Sequence, residues 1–370
     1  MTGLRDRERS RTVIDGWRSF LDASPAMTEG DGSGWAARVY HRAVDEVPAY
    51  RAFLVEQGLP VGPAPVTDFA DLPLVTKENY LRRFPLPSRC RGGRLAAGDM
   101  LAVSSGSSGS PTIWPRTVLD ELPVALRFEQ VFRGSFRADE RRTLAVVCFP
   151  LGSWVGGMYT TSCCRHLAAK GYPITVVAPG NDVAEILRVV REIGAMFDQV
   201  VLLGYPPFVK GVLDVGAADG LDWAGLHVRL VFAGDVFGEQ WRDLLTARIG
   251  SRSPWLDTAS LYGTADARVL GTETPVSIAI RRFLAETPAA AQVLFGQSRL
   301  PTLVQYDPTV RYFETVDSTL VFTADGTLPL IRYHLADDGG LVGHDAMLAF
   351  CRDHGFDPVD QVRRITDRPG

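Results

Sequence analysis

The sequence predicts an α/β protein: sheets flanked by helices, with a smaller β subdomain after the main core. Three observations predict it. Apolar runs of four to six residues alternate with amphipathic stretches from Met100 to about Ala290, short alternating segments with turn residues take over after about Val293, and a helical preface precedes Met100. The expected organisation is residues 1–99 as an N-terminal helical segment, 100–290 as an α/β core, 291–346 as the β subdomain and 347–370 as a terminal segment. With 370 residues and 46% hydrophobic content the chain can bury a sizeable core.

In the preface, residues from about Arg5 to Leu21 and from Gly34 to Gln57 carry apolar positions at helical spacing, and the Gly/Pro-rich stretch Gly58 to Pro65 breaks the pattern. Thr76 is an N-cap candidate for a short helix, with Asn79 at its third position. The core strands expected are Leu101–Ser104, Thr143–Cys148, Ile174–Val177, Gln199–Leu203, Arg229–Phe232 and Ala259–Tyr262, written as strands buried on both faces. The helices expected between them are Leu119–Arg133, Met158–Ala169, Val183–Ile193, Pro207–Leu213 and Gly238–Arg248. In the β subdomain the alternating segments are Thr302–Gln305, Val310–Glu314, Thr319–Thr323 and Pro329–Tyr333. The sequence carries no internal repeat.

Thirty-nine basic residues face 43 acidic ones for a net charge of −4, so no global positive field exists to hold nucleic acid or anionic lipid. The charged stretch Met1–Ser10 lacks the apolar segment of a secretory signal, and no later apolar run approaches the roughly 18 residues of a membrane span, so the expected compartment is the cytoplasm. Five irregularly spaced cysteines, Cys90, Cys148, Cys163, Cys164 and Cys351, fit reduced, buried thiols better than a disulfide framework.

The strand at Leu101 runs into Ser104-Ser105-Gly106-Ser107-Ser108-Gly109-Ser110-Pro111-Thr112. Glycines allow close backbone approach, and successive N–H groups with hydroxyls make a concave donor array suited to phosphate oxygens. On local composition alone a flexible Ser/Gly linker is an equal reading. A Walker-type loop would need Gly-Lys-Ser/Thr where Gly109-Ser110-Pro111 stands, and the spacing of a Gly-x-Ser-x-Gly nucleophile elbow is absent.

This loop resembles the Ser-Ser-Gly-Thr-Thr-Gly-Lys-Pro-Thr phosphate loop of the adenylate-forming superfamily, and other segments resemble that family in the same chain order. Val47-Pro48-Ala49-Tyr50 and Asp71-Leu72-Pro73-Leu74-Val75-Thr76-Lys77 are similar to opening segments of phenylacetate:coenzyme A ligases. Ala233-Gly234-Asp235 resembles the adenine-contacting Gly-Glu segment, and Leu261-Tyr262-Gly263-Thr264-Ala265-Asp266 the Tyr-Gly-x-[Ser/Thr]-Glu motif. Pro329-Leu330-Ile331-Arg332-Tyr333-His334-Leu335-Ala336-Asp337 resembles Pro-Leu-Ile-Arg-Tyr-Arg-Thr-Gly-Asp.

The resemblance implies a large N-terminal adenylation domain that turns a carboxylic acid and ATP into an acyl-AMP and pyrophosphate. It places Ser104, Ser105, Gly106, Ser107, Ser108, Gly109 and Thr112 on the ATP phosphates, Gly234, Asp235, Tyr262, Gly263 and Thr264 around the nucleotide, and Asp337 on the ribose hydroxyls. Asp266 would bind Mg²⁺ through oxygen. Without the other motifs, Tyr262 reads as a core aromatic and Asp337 as part of a plain turn. Phe149-Pro150-Leu151-Gly152-Ser153-Trp154-Val155-Gly156-Gly157 resembles the segment lining the acid pocket of aryl-acid ligases, which makes Phe149, Trp154, Gly157 and Tyr205 candidates for a flat aromatic or conjugated acid; core packing is an equal reading for Phe149.

Partners implied are a small carboxylic acid and, for acyl transfer, coenzyme A; a homodimer and a carrier protein are further expected partners. The alternatives are transfer to an amine, a carrier-protein thiol or an inorganic nucleophile such as nitrite, and a protein that binds a nucleotide without turnover. Departures from the family pattern are Ser110 for a lysine, Ala265 for a hydroxyl residue, Asp266 for glutamate, and His334-Leu335-Ala336 for Arg-Thr-Gly. The family's C-terminal lid with its catalytic lysine is expected to be absent, so no catalytic side chain is assigned and weak adenylation is expected. His344, Cys351 and His354 suggest a metal site by spacing alone, with solvated helix residues the better reading.

Overall fold

A computed structural model describes residues 2–27, 30–61, 69–95, 98–104, 111–297 and 299–366, with side chains from residue 10 onward. Eleven strands lie among the described residues: β1 (Met100–Val103), β2 (Ile113–Arg116), β3 (Thr143–Val147), β4 (Ile174–Val177), β5 (Gln199–Gly204), β6 (Arg229–Ala233), β7 (Thr258–Thr264), β8 (Arg268–Thr272), β9 (Tyr312–Val316), β10 (Thr319–Ala324) and β11 (Leu330–Asp338). The chain divides into two compact units. The first comprises Met1–Pro123, Ala265–Ala267 and Tyr306–Leu341, and the second Val124–Thr264, Arg268–Gln305 and Val342–Gly370.

The second unit is built on one six-stranded sheet in the order β4-β3-β5-β6-β7-β8. Strands β3 to β7 are parallel and β8 closes the edge antiparallel to β7. Runs such as Leu144–Val147 and Val200–Leu203 are fully buried, as strands covered by helices on both faces must be. Helices 155–169, 183–193, 206–218 and 239–248 connect them, close to the expected bounds. The helix at Val183 starts where the Asp182 side chain accepts the Glu185 N–H at 3.0 Å, a cap contributing about 1 kcal/mol. Its Ile186, Leu187 and Val190 join Leu144, Val146, Leu202, Leu213 and Leu230 in one core, each large aliphatic adding about 1.5–3 kcal/mol by burial.

The first unit holds the N-terminal helices, the β1–β2 hairpin and an antiparallel sheet in the order β11-β10-β9. The periodic stretch 34–57 is two helices, Ser33–Glu46 and Pro48–Glu56, because Val47, before a proline, is extended (φ −111°, ψ 101°) while Pro48 starts the next helix. Arg91 bonds Glu46, Asp325 and the Gly326 carbonyl, tying the helical preface to the β10–β11 turn.

Four expectations are corrected. Leu101–Ser104 is not a strand of the parallel sheet: β1 pairs with β2 alone, and Leu101 is 48% exposed. Thr302–Gln305 forms no strand, only a bridge from Gln305 to Thr272. Helices at Pro275–Glu286 and Pro288–Phe295 stand where the sequence reading placed none. The reading of His344, Cys351 and His354 as solvated helix residues fails for Cys351, which is buried in an apolar cluster with Ile280 and Leu284, while the exposed His344 lies 3.3 Å from the Gln305 amide and the exposed His354 tilts over Phe350. Among the described residues no group of three or more His, Cys, Asp or Glu could hold a metal. All five cysteines are free and buried, and burial pushes the Cys148 and Cys164 thiols up to about 12.

Candidate active site

In the second unit, β3, β5, β6 and β7 are parallel neighbours, so their C-terminal ends share one edge of the sheet. The chain leaves β3 to form β4 on one side, whereas β5, β6 and β7 succeed one another on the other side. The point of divergence lies between the ends of β3 and β5, and in such sheets ligands bind in the crevice opened there. Phe149 and Trp154 follow β3, Tyr205 follows β5, Gly234 and Asp235 follow β6, and Tyr262, Gly263 and Thr264 end β7.

Several of these side chains are held in the open. Trp154 and Tyr205 are 42% and 40% exposed although both are large aromatics. Each stands, extended, at the N-cap of the next helix, so backbone geometry fixes its direction. The Tyr205 hydroxyl donates to Asp235 Oδ2 at 2.9 Å, which raises its pKa, and Asp235 Oδ1 accepts the Val236 N–H at 2.8 Å. Gly234 has φ +97°, and a Cβ there would lie 3.4 Å from the Tyr205 ring, so glycine suits both the backbone and the ring. Together Tyr205, Gly234 and Asp235 form a flat aromatic face with a carboxylate at its rim.

Other candidates are packing positions. Phe149 is buried, with Gly156 close against its ring. A Cβ on Gly157 would meet the Pro150 carbonyl oxygen at 2.3 Å, so this glycine lets the helix touch the preceding loop and faces no open space. At Gly263 a Cβ would meet the Arg268 carbonyl at 2.1 Å, which fits the β7–β8 hairpin as its cause. Tyr262 and Thr264 are half-buried at the end of β7.

In the first unit, the ends of the serine-rich loop are clamped. The Ser104 N–H donates to the Thr112 carbonyl at 3.0 Å, and the Thr112 N–H donates to Ser104 Oγ at 2.9 Å. Ser105, Gly106, Ser107, Ser108 and Gly109 lie outside the described residues. Asp337 is half-buried near the end of β11. The preceding Ala336 has φ +61°, a left-handed conformation, at the position where the family resemblance expects glycine.

Asp266 is buried and already engaged. Its Oδ2 accepts the Tyr333 hydroxyl at 2.6 Å and lies 3.3 Å from the Lys77 ammonium, so a divalent cation there would have to displace a charge of its own sign. This geometry fits Mg²⁺ poorly. Burial, then the Asp266 carboxylate, raises the Tyr333 pKa, keeping its hydroxyl protonated and donating. Lys77 begins the turn Lys77–Leu81, capped reciprocally by Thr76 and Asn79. Just before it Val75 is stitched to β11: its N–H donates to the Arg332 carbonyl at 3.0 Å and its carbonyl accepts the His334 N–H at 2.9 Å. Arg332 has φ +47° and is over-determined by Glu314, the Thr323 hydroxyl and the carbonyls of Ala70 and Leu72. Lys77, Tyr333 and Arg332 were not assigned from sequence, because each acts through partners distant in the chain.

No family model and no curated protein matches the sequence. Among solved structures, the chain is similar to 2-hydroxyisobutyryl-CoA ligase in an open conformation with 2-HIB-AMP and CoA: TM-score 0.61, 15% identity, covering 82% of this chain and 67% of that one. The same ligase in the postadenylation state with 2-HIB-AMP gives TM-score 0.60 and 15% identity over 81% of this chain and 60% of that one. Its thioesterification state gives 0.60 and 15% over 81% and 61%. The chain thus spans about 60–67% of the length of these ligases. Among the described residues no helix is long and apolar enough to cross a membrane. The parallel-rich sheet flanked by helices, with the small antiparallel sheet, is the fold that this chain shares with 2-hydroxyisobutyryl-CoA ligase.

Proposed function

We propose that this chain binds ATP and a small carboxylic acid and supports formation of an acyl-AMP, with the acyl group then passing to a thiol, coenzyme A in the first instance. The observation that carries the reading is the sheet edge at the β3/β5 divergence, where Trp154 and the Tyr205–Asp235 pair stand exposed at the position where α/β sheets hold their ligands. The sequence motifs and the shared fold point the same way. The family resemblance would put Gly234, Asp235 and Tyr262 around the adenine, Asp337 on the ribose hydroxyls, and Ser104 and Thr112 on the phosphates. Trp154 and Tyr205 offer flat apolar faces that favour an aromatic or conjugated acid, in keeping with the phenylacetate:coenzyme A ligase resemblance.

The acid's carboxylate attacks the α-phosphorus in line, the bond to pyrophosphate breaks, and the pyrophosphate departs with its electron pair. The residues named contribute position and charge. The test is pyrophosphate exchange into ATP, and thermal stabilisation, across a panel of acids. Stabilisation by ATP with an aromatic acid is expected; an exclusive preference for long aliphatic acids would defeat the aromatic assignment, and no response to ATP would defeat the whole reading. A second reading, nucleotide binding without turnover, is favoured by the engagement of Asp266 with Lys77. It predicts stabilisation without exchange.

A further inference from the structure

The Lys77–Asp266–Tyr333 cluster has a polarity of its own. Asp266 is 5% exposed and takes both partners on one oxygen, whereas the Lys77 side chain is 34% exposed. An ammonium has three protons, and the Asp266 pair uses one, which leaves donors directed away from the buried carboxylate. The position is fixed in advance. Val75, two residues before Lys77, is bonded into β11 beside Tyr333, and the reciprocal Thr76–Asn79 cap locks the turn on which Lys77 stands. The Asn79 amide also donates to the Leu74 carbonyl at 2.9 Å. Arg116, at the end of β2 away from the serine-rich loop, donates to the Ala265 carbonyl next to Asp266 at 2.7 Å. A half-exposed cation, pre-positioned on a capped turn that is bonded to β11, matches an anionic group rather than a metal.

We propose that Lys77, held by Asp266 and Tyr333, supplies the positive charge that meets the phosphate of the bound nucleotide, in place of a divalent cation on Asp266. This rests on the nucleotide reading given above. Asp266 then acts as a positioning residue, with the anchored ammonium losing less freedom on binding than a free lysine would.

The test is ATP binding by calorimetry, in EDTA and in Mg²⁺, for the wild-type chain and for Lys77→Gln, Lys77→Arg and Asp266→Asn, each first checked for an unchanged melting temperature without ligand. The expected result is ATP binding in EDTA within about threefold of that in Mg²⁺, a loss of roughly tenfold or more in Lys77→Gln under both conditions, and substantial recovery in Lys77→Arg. If Lys77→Gln melts early, the EDTA-to-Mg²⁺ ratio of the wild type and of Asp266→Asn still decides. Binding that disappears in EDTA or in Asp266→Asn and is indifferent to Lys77→Gln overturns this inference alone. No ATP binding to any variant in either buffer overturns the nucleotide reading and this inference with it.

Discussion

Two charged clusters of this molecule differ in what they leave open. In the second unit, Arg242 is fully buried between Glu239 (2.8 Å) and Glu273 (2.6 Å), and it also donates to the Thr258 hydroxyl at 2.7 Å. The other Glu273 oxygen accepts the Ser260 N–H at 2.8 Å, and Arg281 joins Glu239 to the Phe237 carbonyl. Every charge there is answered from within. In the first unit, Lys77 and Asp266 form a pair whose carboxylate is buried and whose ammonium reaches solvent. A closed cluster specifies architecture: it fixes β7 through Ser260 and holds Phe237 just beyond the proposed adenine segment. A cluster open at one end specifies a binding direction.

The sharpest way to break this comparison is Arg242→Met. It strands Glu273 without a counter-charge, and the expected cost is about 3–5 kcal/mol, read as a lowered urea midpoint. An unchanged midpoint would mean the closed cluster is dispensable. Tyr333→Phe removes one hydrogen bond to the Asp266 carboxylate and should cost about 1.5–3 kcal/mol by the same measurement. Ala336→Gly relieves a left-handed alanine and should stabilise by about 1 kcal/mol; a loss of stability there would show that the Ala336 side chain contributes packing. Arg188→Ala removes an exposed partner of Glu185 and Glu192 on a solvent face, and its effect should stay within about 0.5 kcal/mol.

The same contrast explains what was legible in the sequence. The parallel strands are continuous apolar runs bounded by helical stretches, so Ile174–Val177 and Val183–Ile193 are found where periodicity puts them. Strand β1 is as apolar as these, yet it pairs only with β2. Nothing in four residues such as Met100–Val103 distinguishes a covered strand from half of a hairpin, and β2, with Pro115 inside it, carries a weak strand signal. The helices at Pro275 and Pro288 begin at Thr-Pro steps, a start signal that the sequence does carry. Of the proposed site, the segments after β3, β5, β6 and β7 stand out in the sequence because their glycines and aromatics are close together in the chain. The Lys77–Asp266 pair had no such trace, since its members are brought together only by Val75 joining β11 and Tyr333 reaching the carboxylate.

The clamp between Ser104 and Thr112 carries a consequence for engineering. With the two ends already paired through backbone and hydroxyl, most of the entropy of closing the intervening segment is met at its base, and loop length adds to that cost only slowly. The hairpin is therefore a natural socket for exchange: segments of other composition grafted between these two residues would leave the scaffold beneath as it is.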